Sequence, residues 1–355
     1  MKSLPSTVWW ELTRRCNLNC PTCQEDCHPS FGTTEHQELS LEEARFVIDE
    51  LTYLDKALTV VISGGEPMLR EDIFDIIAYA AEGGFRTVMQ TNGTLLTEKN
   101  LEYLKEAGLR GIKVTIDSTD KQLHDSFRGL PGTWDLAVSA LQKAIELGFE
   151  TEMDVTIRKD NIHEVQQLLQ LAIQMQVKRI NYLFLKCEGG IVTSELDASA
   201  ALDLAKKIAY LQKQTLPIKI HAYCIPFINR FIEKKDTDAM AKVKGCPAGR
   251  HTMRLTPEGI VTPCPFLYIK AGDLRRNSLV DIWKNAEIMI KLRSQHYRGR
   301  CDRCNYKDVC GGCRARALDK LGDFMAEDPL CDYIPTSAKA EHLKHYENKN
   351  YKDIV

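Results

Sequence analysis

The run Cys16-Asn-Leu-Asn-Cys20-Pro-Thr-Cys23 places three thiols on one short segment. The thiolate is the metal-binding form of cysteine, and three at this spacing suit three irons of a four-iron cluster. An electron carrier of the ferredoxin type supplies four cysteines to such a cluster. Three leave one iron open, and an open position is what separates a catalytic metal site from a structural one. Cys27 is the alternative fourth ligand, and with it the site would only carry electrons. A second set follows downstream, with Cys246 and Cys264, then Cys301, Cys304, Cys310 and Cys313, and finally Cys331. Paired CxxC units of a zinc ribbon stand about 15–20 residues apart. Here five residues separate Cys304 from Cys310, so iron–sulfur clusters are expected rather than zinc. Cys187 and Cys224 stand apart from both sets, where a buried small hydrophobe is the ordinary role. The nine histidines show no ligand spacing.

The composition agrees with such an enzyme. Thirteen cysteines, an odd number with all but Cys187 and Cys224 gathered in two clusters, argue against a disulfide scaffold and for a reducing, cytoplasmic setting. Lys plus Arg is 47 and Asp plus Glu is 49, a net charge of −2 that offers no electrostatic case for nucleic acid or an anionic membrane surface. No apolar run approaches the roughly 20 residues of a membrane span, and the start lacks the order of a signal peptide. Hydrophobic residues make up 44%, enough for a large core.

Something must hold the thiols in place, and the first 220 residues supply it by alternation. Strands are expected over Val8–Leu12, Leu58–Ser63, Thr87–Thr91, Gly111–Asp117, Thr151–Ile157 and Arg179–Leu185. Helices are expected over Leu41–Leu54, Arg70–Glu82, Glu98–Ala107, Thr133–Leu147, Ile162–Met175 and Asp197–Gln214, several after caps such as Ser40, Thr97 or Asn161. Six strand–helix units imply an α/β fold with a parallel sheet, and right-handed crossovers curl it toward a barrel. Closure takes eight units, so a partial (β/α)6 barrel is expected over residues 1–220. Residues 221–335, rich in Gly, Pro and Cys, read as a small cluster-binding domain, and 336–355 as a Lys-rich tail.

The CxxxCxxC run after a first strand resembles the radical S-adenosylmethionine (SAM) enzymes, in which SAM chelates the open iron. Thr22 stands where that family usually has an aromatic residue near the adenine. Gly64-Gly65-Glu66-Pro67 looks like the family's GGEP motif, whose carboxylate and backbone meet the methionine ammonium. Gln90-Thr91-Asn92-Gly93 is similar to its segment beside the ribose, and Thr115-Ile116-Asp117-Ser118 to a further strand end, followed by His124-Asp125-Ser126-Phe127-Arg128-Gly129. Each falls at the carboxyl end of a strand, the face on which such barrels bind ligands. The resemblance implies that Cys16, Cys20 and Cys23 hold the catalytic cluster. Gly64, Gly65, Glu66, Pro67, Thr91, Asn92, Asp117 and Arg128 would bind SAM. A low-potential electron, from a donor such as ferredoxin or flavodoxin, would then cleave SAM to methionine and a 5′-deoxyadenosyl radical that takes a substrate hydrogen. The alternative from another class is a non-catalytic iron–sulfur electron carrier.

The late cysteines resemble the SPASM extension of the same enzymes, with one or two auxiliary four-iron clusters. It implies that Cys301, Cys304, Cys310 and Cys331 complete one cluster, while Cys246, Cys264 and Cys313 hold three corners of another. Cys224 is a possible fourth ligand there. From Cys310 to Cys331 the phrases look like the branch that makes haem and haem d1 by altering side-chain carboxylates of siroheme-type tetrapyrroles. Cys187-Glu188-Gly189-Gly190 departs from it. Only 15 residues precede Cys16, leaving no room for the N-terminal recognition domain of many peptide maturases. Lys291, Arg293, Arg298, Arg300, Arg303, Arg314 and Arg316 offer cations for substrate carboxylates, or else form a solvated basic loop. A tetrapyrrole substrate is expected, with a ribosomally made peptide as the alternative.

Overall fold

In β1 (Thr7–Thr13), Val8, Trp10 and Leu12 turn into the core while Trp9, Glu11 and Thr13 take the opposite face. That alternation runs through a sheet seen in a computed structural model that describes residues 4–21, 23, 38–184, 195–232 and 245–335. Thr22, Cys27, the 187–190 segment and the tail from Thr336 lie outside the described residues.

Strands β2 (Thr59–Gly64), β3 (Arg86–Thr91), β4 (Gly111–Thr115), β5 (Glu150–Ile157), β6 (Arg179–Phe184) and β7 (Lys219–Tyr223) add to β1 in order, all parallel. Between them stand α1 (Leu41–Thr52), α2 (Ile73–Glu82), α3 (Glu98–Glu106), α4 (Lys121–Arg128), α5 (Thr133–Glu146), α6 (Val165–Gln174) and α7 (Ala198–Gln212). The expected strands and helices are present, with two additions. α4 is a short polar helix between β4 and α5, capped by Asp120 and ended by Gly129 in the left-handed region. β7 is a seventh parallel strand that spans position 220; its short, polar sequence gives little period-2 signal.

Ser40 and Thr97 cap α1 and α3, and at α1 Ser40 and Glu43 form a reciprocal capping box. Asn161 does not cap. Its amide donates instead to the carbonyls of Asp117 and Thr156, fastening the end of β4 to that of β5.

The helix-side face of the sheet is apolar, with Val60, Ile62, Met89, Ile112, Met153 and Ile180 all essentially buried. On the other face the sheet curls. Lys113 Nζ on β4 is 5.5 Å from the Trp9 ring on β1 and 5.9 Å from the Tyr223 ring on β7. Three strand spacings separate β4 from each, about 14 Å in a flat sheet. Only a barrel-like curvature brings the three side chains together.

The C-terminal part shares this sheet. β8 (Thr252–Leu255) pairs parallel with β1 on the side away from β2, and β9 (Ile260–Thr262) and β10 (Gly272–Asp273) extend it. Helices α8 (Leu279–Asn285), α9 (Glu287–Ser294) and α10 (Arg314–Leu321) complete it. No helix among the described residues is long and apolar enough to cross a membrane.

Candidate active site

The Cys16–Cys23 segment leaves the carboxyl end of β1, and the ends of β2, β3 and β4 close around it. Gly65 N donates to Thr13 O and Glu66 N to Arg15 O, each at 2.8 Å. A Cβ on Gly65 would stand 2.2 Å from the Arg15 carbonyl oxygen, so only glycine lets the two backbones approach this closely. On the far side, a Cβ on Gly129 would stand 2.6 Å from Asn19 O, within the cysteine loop itself. The loop is thus gripped by backbone from two directions.

Glu66 is fully buried. Its carboxylate accepts from Thr91 Oγ1 at 2.8 and 2.9 Å, from Asn92 N at 3.0 Å and from Met68 N at 3.1 Å. Burial raises its pKa, and those hydrogen bonds oppose the shift. The carboxylate therefore ties the end of β2 to the end of β3. Asn92, held there, donates from Nδ2 to Asn17 Oδ1 at 2.9 Å and comes within 4.0 Å of Cys16 Sγ.

Past β4, Asp117 accepts from Thr156 N at 2.8 Å and forms an ion pair with Arg128. Arg128 Nη1 lies 3.9 Å from Cys20 Sγ, and the Cys20 thiol donates to the Arg128 carbonyl at 3.8 Å. Asp117 N donates to His124 Nδ1 at 3.1 Å. Burial above all, and the Arg128 charge, push the His124 pKa down to about 4, so the ring stays neutral and able to accept that bond. Cys16, Cys20 and Cys23 share one loop, and Gly64 to Pro67, Thr91, Asn92, Asp117 and Arg128 surround it. The thiol donors and the glycine-lined approach suit a thiolate-held cluster with a small ligand beside it.

Sequence reasoning missed the inner face of the barrel. Glu152 accepts from Lys113 Nζ and Arg179 Nη1 at 2.8 Å each and from Asn181 Nδ2 at 2.7 Å. Asn181 also donates to Asp154 at 2.6 Å. Burial raises Glu152, but Lys113 and Arg179 outweigh it and push its pKa down to about 2. Asp154 goes the other way, raised by burial. Polar side chains on the inward face of β4, β5 and β6 were the available signal, in Lys113, Glu152, Asp154 and Asn181.

In the C-terminal part, Cys301, Cys304, Cys310 and Cys331 line one cavity together with Arg230 and Tyr333. Four thiols around a single space, rather than gathered at a point, fit a cluster. Among the described residues no three His, Cys, Asp or Glu side chains converge tightly enough for a single ion. The remaining set is knit to the first by backbone. Cys246 N donates to Cys310 O at 3.1 Å, and Cys313 N to Asp328 Oδ2 at 2.8 Å. Buried Asp328 also pairs with Arg316, whose Nη2 donates to Cys224 O at 2.7 Å. Cys224 itself is in the left-handed region at φ 61°.

Most cations of the basic stretch already have partners within the protein. Arg298 pairs with Asp323 at 2.8 Å, Arg300 with Glu327 at 3.0 Å, and Lys291 with Glu287 one helical turn away. Arg293 lies over Trp283 and donates to the Gly249 and Trp283 carbonyls. Arg314 donates to the carbonyls of Phe324 and Ala326. These cations hold the small domain together.

Residues 10–172 match the model of the radical SAM superfamily, and residues 246–313 that of an iron–sulfur cluster-binding domain, SPASM. The chain is 33% identical to the AdoMet-dependent heme synthase of Methanosarcina barkeri, over 94% of this chain and 98% of the relative. It is 32% identical to the AdoMet-dependent heme synthase of Nitratidesulfovibrio vulgaris, over 92% of each. Streptococcus suis SuiB bound to S-adenosylmethionine has a similar fold, at a TM-score of 0.75 and 18% identity, over 93% of this chain and 78% of that one.

Proposed function

The chain belongs to the radical SAM superfamily, with the SPASM iron–sulfur extension, and on that premise we propose that it removes side-chain carboxylates from a tetrapyrrole in the making of haem. It is an enzyme whose cofactors are four-iron clusters and S-adenosylmethionine. One observation carries the substrate: the 33% identity to an AdoMet-dependent heme synthase runs through 98% of that relative.

When bound, the first cluster and SAM supply a one-electron cleavage and the abstraction of a substrate hydrogen. The protein's part is positioning and exclusion of water. Cys16, Cys20 and Cys23 hold the cluster, on a loop clamped by Gly65 and Gly129. Glu66 fixes the Thr91–Asn92 turn, so that Asn92 steadies the loop at Cys16 and Asn17. Asp117 orients Arg128 against Cys20. The inner face beyond them, with Lys113, Glu152, Asp154 and Asn181, receives the polar edge of the substrate. Glu152 and Asp154 both accept from the Asn181 amide, which fixes that side chain on the inner face. The late cysteines hold the auxiliary clusters, with Cys301, Cys304, Cys310 and Cys331 around one, and Cys246, Cys264 and Cys313 at another. A low-potential donor such as ferredoxin or flavodoxin supplies the electron.

The test is coupling between substrate and SAM cleavage. Reduced holoenzyme is expected to form 5′-deoxyadenosine slowly with SAM alone and at least about tenfold faster with a carboxylated iron tetrapyrrole, a gain of about 1.4 kcal/mol in the barrier. An unchanged rate with the tetrapyrrole, and a rise with a peptide, contradicts the proposal.

A further inference from the structure

We propose that Arg230 is the charge partner of the cluster held by Cys301, Cys304, Cys310 and Cys331, and that its guanidinium raises that cluster's reduction potential. The inference rests on the four-cysteine reading above.

Arg230 ends a short 3-10 helix, Pro226–Arg230, just after β7, so it is the barrel side of the chain that sends this cation into the C-terminal site. Its side chain is 6% exposed. A buried guanidinium carries five N–H donors and needs anions or acceptors around it. The protein provides few. Nη1 is 3.5 Å from Asp332, a carboxylate 47% exposed, and 3.6 Å from Cys331 Sγ. Nε is buried with no hydrogen-bond partner among the described residues. The rest of its surroundings is aromatic, with the Tyr333, Phe231 and Tyr306 rings at 4.7, 5.2 and 5.7 Å.

Two other arginines stand near the same thiols and differ in this respect. Arg314 comes within 4.0 Å of Cys301 Sγ, but it is anchored by the carbonyls of Phe324 and Ala326. Arg300 lines the cavity but pairs with Glu327 and donates to the Cys331 carbonyl. Arg230 alone among the three combines burial, a place on the four-cysteine cavity and an unused donor. An anion in that cavity completes its surroundings.

A four-iron cluster on four thiolates is anionic and becomes more so on taking an electron. A fixed cation beside it, with N–H groups toward its sulfur ligands, therefore favours the reduced form. A raised potential suits an acceptor of electrons from the substrate side better than a donor into SAM.

The experiment uses the full chain with Cys16, Cys20 and Cys23 replaced by Ala, reconstituted with iron and sulfide and titrated under EPR. Arg230→Met and Arg230→Lys are compared with this parent, the cluster at Cys246, Cys264 and Cys313 serving as internal reference. Arg230→Met is expected to lower one midpoint so that the reduced-to-oxidised ratio at fixed poise falls at least about tenfold, about 59 mV for one electron. Arg230→Lys, which keeps the charge without the planar fork, is expected to shift it less. Arg230→Met with full iron and unmoved midpoints overturns the inference. If Arg230→Met loses iron while Arg230→Lys retains it, the charge-partner role stands; loss from both overturns it, because charge alone then does not suffice. A parent without iron at the late cysteines refutes the cluster reading itself, a separate result.

Discussion

Three donors converge on the buried Glu66 carboxylate, from Thr91, Asn92 and Met68, and the placement of Asn92 over the cysteine loop depends on them. A glutamine offers one acceptor oxygen and turns an N–H₂ toward donors. Hydrogen bonds to charged groups contribute about 1.5–3 kcal/mol, so Glu66→Gln is expected to weaken SAM binding tenfold or more by anaerobic calorimetry. Wild-type affinity in that variant would make Glu66 no more than a turn residue. His124 gives a second prediction at this scale. Its folded pKa of about 4 lies below the ordinary value of 6.5. The unfolded chain thus takes up a proton first as pH falls. The stability His124 contributes is complete above about pH 6.5 and is lost toward about pH 4, with a slope of up to about 1.4 kcal/mol per pH unit. His124→Asn keeps an acceptor for Asp117 N and removes the titration. Its melting temperature is expected to gain on wild type as pH falls through that window; a difference independent of pH contradicts the assignment.

Among the elements, the loops at the strand ends were the most legible, because a glycine, a carboxylate or a thiol at a strand end has few other reasons to be there. Gly65 stands against the Arg15 backbone and Gly129 against that of Asn19, on the segment that carries the three cysteines. Local sequence was silent on charges that meet across distance. Arg298 and Arg300 read as an open basic patch because Asp323 and Glu327, which neutralise them, lie more than twenty residues on. Lys113 and Glu152 were passed over because they lie on different strands and meet only when β4 pairs with β5. β7 was missed for want of length and period. The separation of the two cysteine sets predicts independent clusters. Replacing Cys16, Cys20 and Cys23 together by Ala is expected to remove about four irons per chain and leave the late clusters in place. Iron analysis checks this; loss of all the iron, or zinc in the C-terminal part, contradicts it.

At the scale of the molecule, the alternation of strands and helices announced the barrel, but not that β8 would pair with β1 and join both parts into one ten-stranded sheet. That pairing is long-range and leaves no local mark. It sets β8 and β9, which lie between Cys246 and Cys264 in the chain, onto the sheet whose strand ends carry the Cys16–Cys23 segment. The most direct measurement is the mass of the product after reduced holoenzyme is incubated with SAM and a carboxylated iron tetrapyrrole. The expectation is a tetrapyrrole that has lost the mass of a side-chain carboxylate, with 5′-deoxyadenosine and methionine formed alongside. A tetrapyrrole recovered at its starting mass while SAM is consumed, with a changed mass on a peptide offered in its place, would contradict it.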